Sequence, residues 1–465
     1  MKIRVAILVS GLLVAGATFA QEQVKVVALA DVPAPVQKAI QAQLKGATIT
    51  EIDLIEENGE VSYDVAVSTK DGQSGGFTLG ADGKMQRLEI ALADAPAVVQ
   101  KAIKAQLGAD TLVSIEKTLD DEGLTYDVSA VMKNGQDRDF SISPDGKLDS
   151  MQVFLADTPA AVQKTINAKL QKGKVDNIEE SFDDDGNIYA VEMTAKNGDE
   201  RHFSVGADGK LESLQMTLTE TPAVVQAAIK TQLGDGKLND IEENFAEGGI
   251  TFEVEMSAKN GTNLDFSVNS GGKLETLQMV FADTPAEVQE TIRAQLGMNK
   301  PDRIEEDFAD EGNSYEVEMK APDGSNRDLT VGSDGKLETL QMSLTETPLE
   351  IQTAIRTQLG QNKLDRIEKD FDDISPTYEI EMKTKDGSTR SFTLEEDGKL
   401  ESLELSLAET PAEVQKTING QIAGGKLESV EKIFEDDGIS YDVAVTTKAG
   451  KVKSFSVAAN GTLEK

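Results

Sequence analysis

The sequence has no cysteine, no tryptophan and a single histidine in 465 residues. Each absence removes a class of chemistry. Without cysteine there is no disulfide framework, no thiol nucleophile and no thiolate metal site. With His202 alone, neither a multi-histidine metal centre nor a repeated histidine base can form. His202 stands beside Phe203 in an expected strand, where other parts of the chain place Asp139, Asp265, Asp328 or Ser391, and it is expected to be a solvated surface residue. Basic residues are also scarce: 46 Lys and Arg face 83 Asp and Glu, for a net charge of -37. Such a chain repels phosphate backbones and anionic lipid surfaces, which argues against nucleic acid and membranes as partners. Cations and basic protein patches suit it, and the charge also keeps a long chain soluble. No nucleophile elbow, phosphate loop or dinucleotide fingerprint is present.

What is present begins with an export pattern. Met1 to Arg4 is a cationic head, Val5 to Val14 an apolar run, and Ala15 to Ala20 a small-residue tail. This is the layout of a secretory signal peptide, residues 1–20, cut after Ala20 with Thr18 at the minus-three position, or after Ala17. The run is shorter than the ~20 residues a bilayer span needs, and no later segment is a candidate, so no stable membrane insertion is expected. No cysteine follows it to take a lipid anchor. The expected location is the periplasm or the extracellular space. Loss of Lys2 and Arg4 takes the charge from -37 to -39.

The dominant feature is a period. Pro33, Pro96, Pro159, Pro222, Pro285, Pro348 and Pro411 recur every 63 residues with no insertion or deletion. The third copy reads most clearly. Thr158 is a good N-cap and Pro159 suits the first helical position. Val162, Ile166 and Leu170 form one apolar helix stripe. Gln163, like Gln226, Gln289 and Gln352, is expected to be an exposed helix former or to help cap the turn. A first strand runs from Ile178 to Phe182, and a second alternates Tyr189, Val191 and Met193 with Ala190, Glu192 and Thr194. Asn197 and Gly198 signal a two-residue hairpin, Phe203 and Val205 a third strand, Asp208 and Gly209 another turn. Leu214, Met216 and Leu218 alternate through a fourth strand. The expected fold class is α+β: an elongated tandem array of small units, each one α-helix packed on a four-stranded antiparallel β-meander. Val24, Val27 and Leu29 precede the first proline at fourth-strand spacing, so each unit is framed to start with a strand. The units are 21–83, 84–146, 147–209, 210–272, 273–335, 336–398 and 399–465.

Pro159, Val162 and Ile166, then Ile178 to Glu180, Tyr189 to Val191, Lys196 to Gly198 and Asp208 to Leu211, resemble the PepSY-like family, also described as beta-lactamase-inhibitor-like. The resemblance covers the whole mature chain, once per repeat. It implies a non-catalytic helix-plus-sheet module. Related domains occur in propeptides of secreted metallopeptidases, where an inhibitory role has been proposed, and the similar beta-lactamase inhibitor fold grips its target with its sheet face. Seven units without a peptidase domain exclude inhibition in cis, so the resemblance implies inhibition in trans.

Two candidate sites follow from the residues. An EF-hand template on the third copy puts Asp183, Asp185, Gly186 and Glu192 at loop positions 3, 5, 6 and 12, but Ser181 fills position 1 and strands flank the loop, so a true EF-hand is rejected. Weak calcium binding by clustered acids stays open beside the plainer reading of a solvated hairpin loop. The second candidate is the outer strand face. Glu253 and Glu255, Glu316 and Glu318, and Glu379 and Glu381 project from second strands, and Glu179, Glu242, Glu305, Glu368 and Glu431 recur on first strands. They form either a docking face for a basic protein partner or a solvated face that discourages edge-to-edge aggregation. No one carboxylate pair is singled out for acid/base work, and features spread over seven copies do not describe one active site. No cofactor is expected. The function expected is an exported protein-binding array, with a structural or calcium-binding surface protein as the alternative.

Overall fold

The computed structural model describes residues 23–464 except 58–59, 70–71, 73, 120–122, 183–185, 247, 297–299, 310–311, 322–324, 372–375, 386, 423, 436–437 and 448–450. The expected signal segment and the turn acids Asp183 and Asp185 therefore lie outside the described residues. Within them the protein is α+β and strand-rich, with seven α-helices: α1 (Ala34–Gln43), α2 (Ala97–Leu107), α3 (Ala160–Leu170), α4 (Ala223–Leu233), α5 (Ala286–Leu296), α6 (Leu349–Leu359) and α7 (Ala412–Ile422). The chain divides into two compact units, one up to Leu274 and one from Glu275. No described helix is long and apolar enough to cross a membrane.

Each helix buries the first two residues of its stripe, such as Val162 and Ile166 in α3, both fully shielded from solvent. The helix entry differs from the expected cap. Pro159, not Thr158, is the N-cap of α3, and its extended ψ sets the corner. The Thr158 hydroxyl instead donates back to the Leu155 carbonyl (3.0 Å), closing a 3-10 turn over Leu155–Asp157 that strand patterns did not reveal. Gln163 then donates from Nε2 to the Thr158 carbonyl at 2.8 Å. Gln37, Gln100, Gln226, Gln289, Gln352 and Gln415 make the equivalent bond at 2.7–2.9 Å. Of the two roles open to these glutamines, the capping one is what they perform: each satisfies the carbonyl just ahead of its proline.

After α3, Lys174–Ser181, Ile188–Thr194, Glu200–Gly206 and Leu211–Gln215 pair antiparallel in succession. Across the helix, Leu148–Gln152 also pairs with Lys174–Ser181. The same succession runs from Gln23–Val26 to Asn263–Asn269 in the first unit. It runs from Thr276 to Ala458 in the second. Both turn signals of the third copy sit in three-residue loops rather than two. Ala195 bonds to Asp199 and Gly206 to Lys210, with Gly198 and Gly209 at positive φ. Every first strand carries a bulge, as between Val175 and Asn177, and this sets which side chains face one another beyond it.

The core of the third copy joins Val162 and Ile166 to Ile178, Tyr189, Val191, Met193, Phe203 and Val205, with Leu211 and Leu214 of the fourth strand packed against them. Fourth-strand residues face the preceding helix at Leu88, Met151, Leu214, Leu340 and Leu403. The same place in Gln23–Val26 holds Lys25, and among the described residues that strand pairs along one edge only. A charge at an edge position blocks further strand addition.

Gly209 clasps the last turn to the helix start. Its φ is +84°, and a Cβ there would lie 2.8 Å from backbone and side-chain atoms of Ala161. Its carbonyl accepts from the Thr165 hydroxyl at 2.6 Å. Gly209→Ala is expected to destabilise the third copy by about 2 kcal/mol through left-handed strain and the clash, read as a lower denaturant midpoint by circular dichroism.

Candidate interaction surface

Alternation on the second strands sends Tyr189, Val191 and Met193 toward α3 and Glu192 the other way. The outer face is built from these alternate residues. Glu253, Glu316, Glu318 and Glu379 are exposed there, while Glu255 and Glu381 are half-buried. The first-strand acids Glu179, Glu242, Glu305, Glu368 and Glu431 are half-buried as well.

Strand register brings many of these acids face to face. Glu242 lies opposite Glu253, Glu305 opposite Glu316, and Glu368 opposite Glu379. Asp53 with Asp64, Glu116 with Asp127, and Glu431 with Asp442 extend the pattern. Glu179 departs from it and faces Ala190. On the third strand each second-strand residue meets a hydroxyl: Thr78, Ser141, Ser204, Ser267, Thr330, Thr393 and Ser456. Some of these hydroxyls bond locally, Thr78 to Asp64 and Ser204 to Ser213. No local motif marks the recurring Asp64, Asp127 and hydroxyl positions in the sequence. The 63-residue period alone marks them, once every copy is read at the same offset.

Opposed like charges cost stability, and burial and neighbouring acids together raise several carboxyls on this face. Burial first, then Glu368 and Glu381, raises the Glu379 carboxyl above its usual range. Burial first, then Asp307, Glu305 and Asp328, does the same for Glu316. Glu179 and Glu116 are raised chiefly by burial. Glu255 moves furthest. Burial, followed by Asp240, Asp265, Glu242 and Glu253, pushes it up to about 7. His202 is not the solvated residue expected: its side chain is only 25% exposed, and Nε2 lies 4.0 Å from the nearly buried Asp240 carboxylate. Among the described residues, no three acids or histidines are arranged to hold a metal ion.

Three segments, 19–88, 125–213 and 253–339, match the beta-lactamase-inhibitor-like, PepSY-like family, together covering more than half of the chain. The chain belongs to the PepSY-like family. Each matched segment exceeds one 63-residue period, and the first runs from before the strand Gln23–Val26 to Leu88 in the next fourth strand. No curated protein matches this PepSY-like chain. Among solved structures, a Bacteroides vulgatus protein described as periplasmic is 13% identical, covering 28% of this chain and 96% of its own, with a TM-score of 0.20. A Bacteroides eggerthii protein described as periplasmic is 25% identical over 25% of this chain and 85% of its own, with a TM-score of 0.20. A Bacteroides thetaiotaomicron protein described as calcium-regulated and periplasmic is 20% identical over 27% of this chain and 93% of its own, again with a TM-score of 0.20.

Glu255 sets a pH dependence. Its folded pKa, about 7, lies above its ordinary 4.5, so between these values the native state holds a proton that the unfolded chain has lost. Stability therefore falls as pH rises through that window. Glu255→Gln is expected to raise the melting temperature at about pH 8 and to flatten the fall between about pH 5 and pH 8, measured by thermal denaturation across pH.

Proposed function

We propose that this is an exported, non-catalytic array of helix-plus-four-strand PepSY-like units that binds a basic protein partner through its acidic outer sheet faces. The cationic head, apolar run and small-residue tail of residues 1–20 support export. The observation that carries the binding role is the opposed carboxylate pair, as in Glu242 with Glu253 and Glu431 with Asp442. Folding gains nothing from like charges set face to face, whereas a cationic partner relieves their repulsion. The form we propose for this activity is inhibition of an exported enzyme in trans, with the sheet face against the target by analogy with the beta-lactamase inhibitor fold.

A second reading, calcium binding at the cell surface, draws on the same acids and on the raised carboxyls of Glu255, Glu316 and Glu379. One experiment separates the two. Replacing Glu253, Glu255, Glu316, Glu318, Glu379 and Glu381 by glutamine is expected to weaken binding of a basic exported protein, such as egg-white lysozyme as a probe, by about tenfold or more at low salt. Isothermal titration calorimetry measures it. Unchanged lysozyme affinity in the variant, with a rise in wild-type melting temperature on adding calcium, would overturn protein docking in favour of the cation.

A further inference from the structure

The dipeptide Asn-Gly occurs six times in the sequence, at Asn58, Asn134, Asn197, Asn260, Asn419 and Asn460. Glycine has no Cβ to hold its backbone nitrogen away from the preceding side-chain amide, so the pair is labile wherever the chain can turn. Asn58 lies outside the described residues, and the other five meet three different settings.

Asn134, Asn197 and Asn260 share one offset in the period, at the tip of the hairpin between second and third strands. All three are exposed, and so are their glycines. Gly135, Gly198 and Gly261 have φ of +84°, +93° and +88°, and a Cβ on any of them would meet nothing within 4 Å. Each asparagine side chain folds forward. Its Oδ1 accepts from the backbone N–H two residues on, at 2.9 Å from Gln136, 3.2 Å from Asp199 and 3.0 Å from Thr262. The ring so closed contains both Cγ and the glycine nitrogen, and the bond polarises the carbonyl under attack. Each glycine N–H is held by one turn bond, to Met132, Ala195 or Ala258, at a loop tip where opening costs least.

The other two sites are held differently. Asn460 has the same forward bond, from Thr462, but its glycine is clasped to α7. The Gly461 carbonyl accepts from the Thr417 hydroxyl at 2.5 Å, and a Cβ there would lie 2.8 Å from Glu413. Asn419 and Gly420 lie inside α7, where the helical ladder engages the Gly420 N–H. Neither nitrogen reaches the preceding Cγ without breaking helical or tertiary bonds.

We infer that Asn134, Asn197 and Asn260 are self-modifying sites that convert to aspartate and isoaspartate in the folded protein. The glycine nitrogen gives its proton to solvent and attacks Cγ. The N–Cγ bond forms, the Cγ–Nδ2 bond breaks, and Nδ2 takes a proton from solvent and leaves as ammonia. Water then adds to either carbonyl of the resulting succinimide and opens it. Each conversion adds one negative charge at a hairpin tip. The first, fifth and sixth copies already carry aspartate at this offset, as Asp71, Asp323 and Asp386, so the acid is native to the position.

The test is peptide mapping by mass spectrometry of the full chain, aged in neutral buffer at physiological temperature. Each site is read as ammonia lost and water gained, with isoaspartate separated by chromatography. Conversion at Asn134, Asn197 and Asn260 is expected to run at least about tenfold faster than at Asn419 and Asn460. In the guanidinium-unfolded chain the five rates should converge. Thr417→Val, which frees the Gly461 carbonyl, should raise the Asn460 rate several-fold, with circular dichroism confirming the fold. Intact amides at the three tips, under conditions where the unfolded chain converts, overturn the inference. Equal rates at all five sites in the folded chain also overturn it. An unchanged Asn460 rate in folded Thr417→Val overturns the clasp as the source of its protection.

Discussion

Met151 packs with α2, while Val153, two residues later, packs with α3. The same division places Leu88 with α1 and Ile90 with α2, and Leu403 with α6 and Leu405 with α7. Met342 touches the cores of both α5 and α6. These fourth strands are also hydrogen-bonded along both edges, to the third strand before and the first strand after the next helix. A single 63-residue copy is marginal alone, because a domain of that size buries a small share of its surface. The strand it shares with its neighbour adds to its core, and nearest-neighbour coupling of this kind is how repeat arrays gain stability. The proline corner, the 3-10 turn and the glutamine amide serve this joint, since they turn the chain from a shared strand into a helix within a few residues.

The shared strand also determines the outer face. Hydrogen bonding through it keeps successive outer rows in register, and the first-strand bulge decides which side chains meet in each row. That is how Glu242 comes to face Glu253, and how Asp240 comes to face Glu255 where Arg303 faces Glu318. Charge on this face therefore reflects individual residues on a fixed lattice of positions.

Much of this was legible in the residues. Val162 and Ile166 mark the buried helix stripe, Tyr189, Val191 and Met193 the inner strand face, and Gly198 and Gly209 the turns, because periodicity and left-handed glycines are local properties. What was not legible is what depends on pairing. A bulge between Leu238 and Asp240 leaves no compositional trace, so the opposition of Asp240 and Glu255 could not be read from either strand alone. Thr158 looked like a helix cap because its hydroxyl has the right chemistry, but that hydroxyl bonds backward to Leu155 instead. His202 looked exposed because its position elsewhere holds Asp or Ser; its surroundings depend on Asp240, two strands away.

The unbroken 63-residue spacing has a genetic consequence. Since these fourth strands belong to two cores at once, no residue in such a copy is a privileged boundary. A block of 63 codons duplicated or deleted in frame, with its ends anywhere in the period, joins a strand, turn or helix to its own equivalent and keeps the backbone pattern across the seam. The length of such a chain, and with it the number of acidic rows it displays, is open to change by unequal recombination alone, with no new joint to be selected.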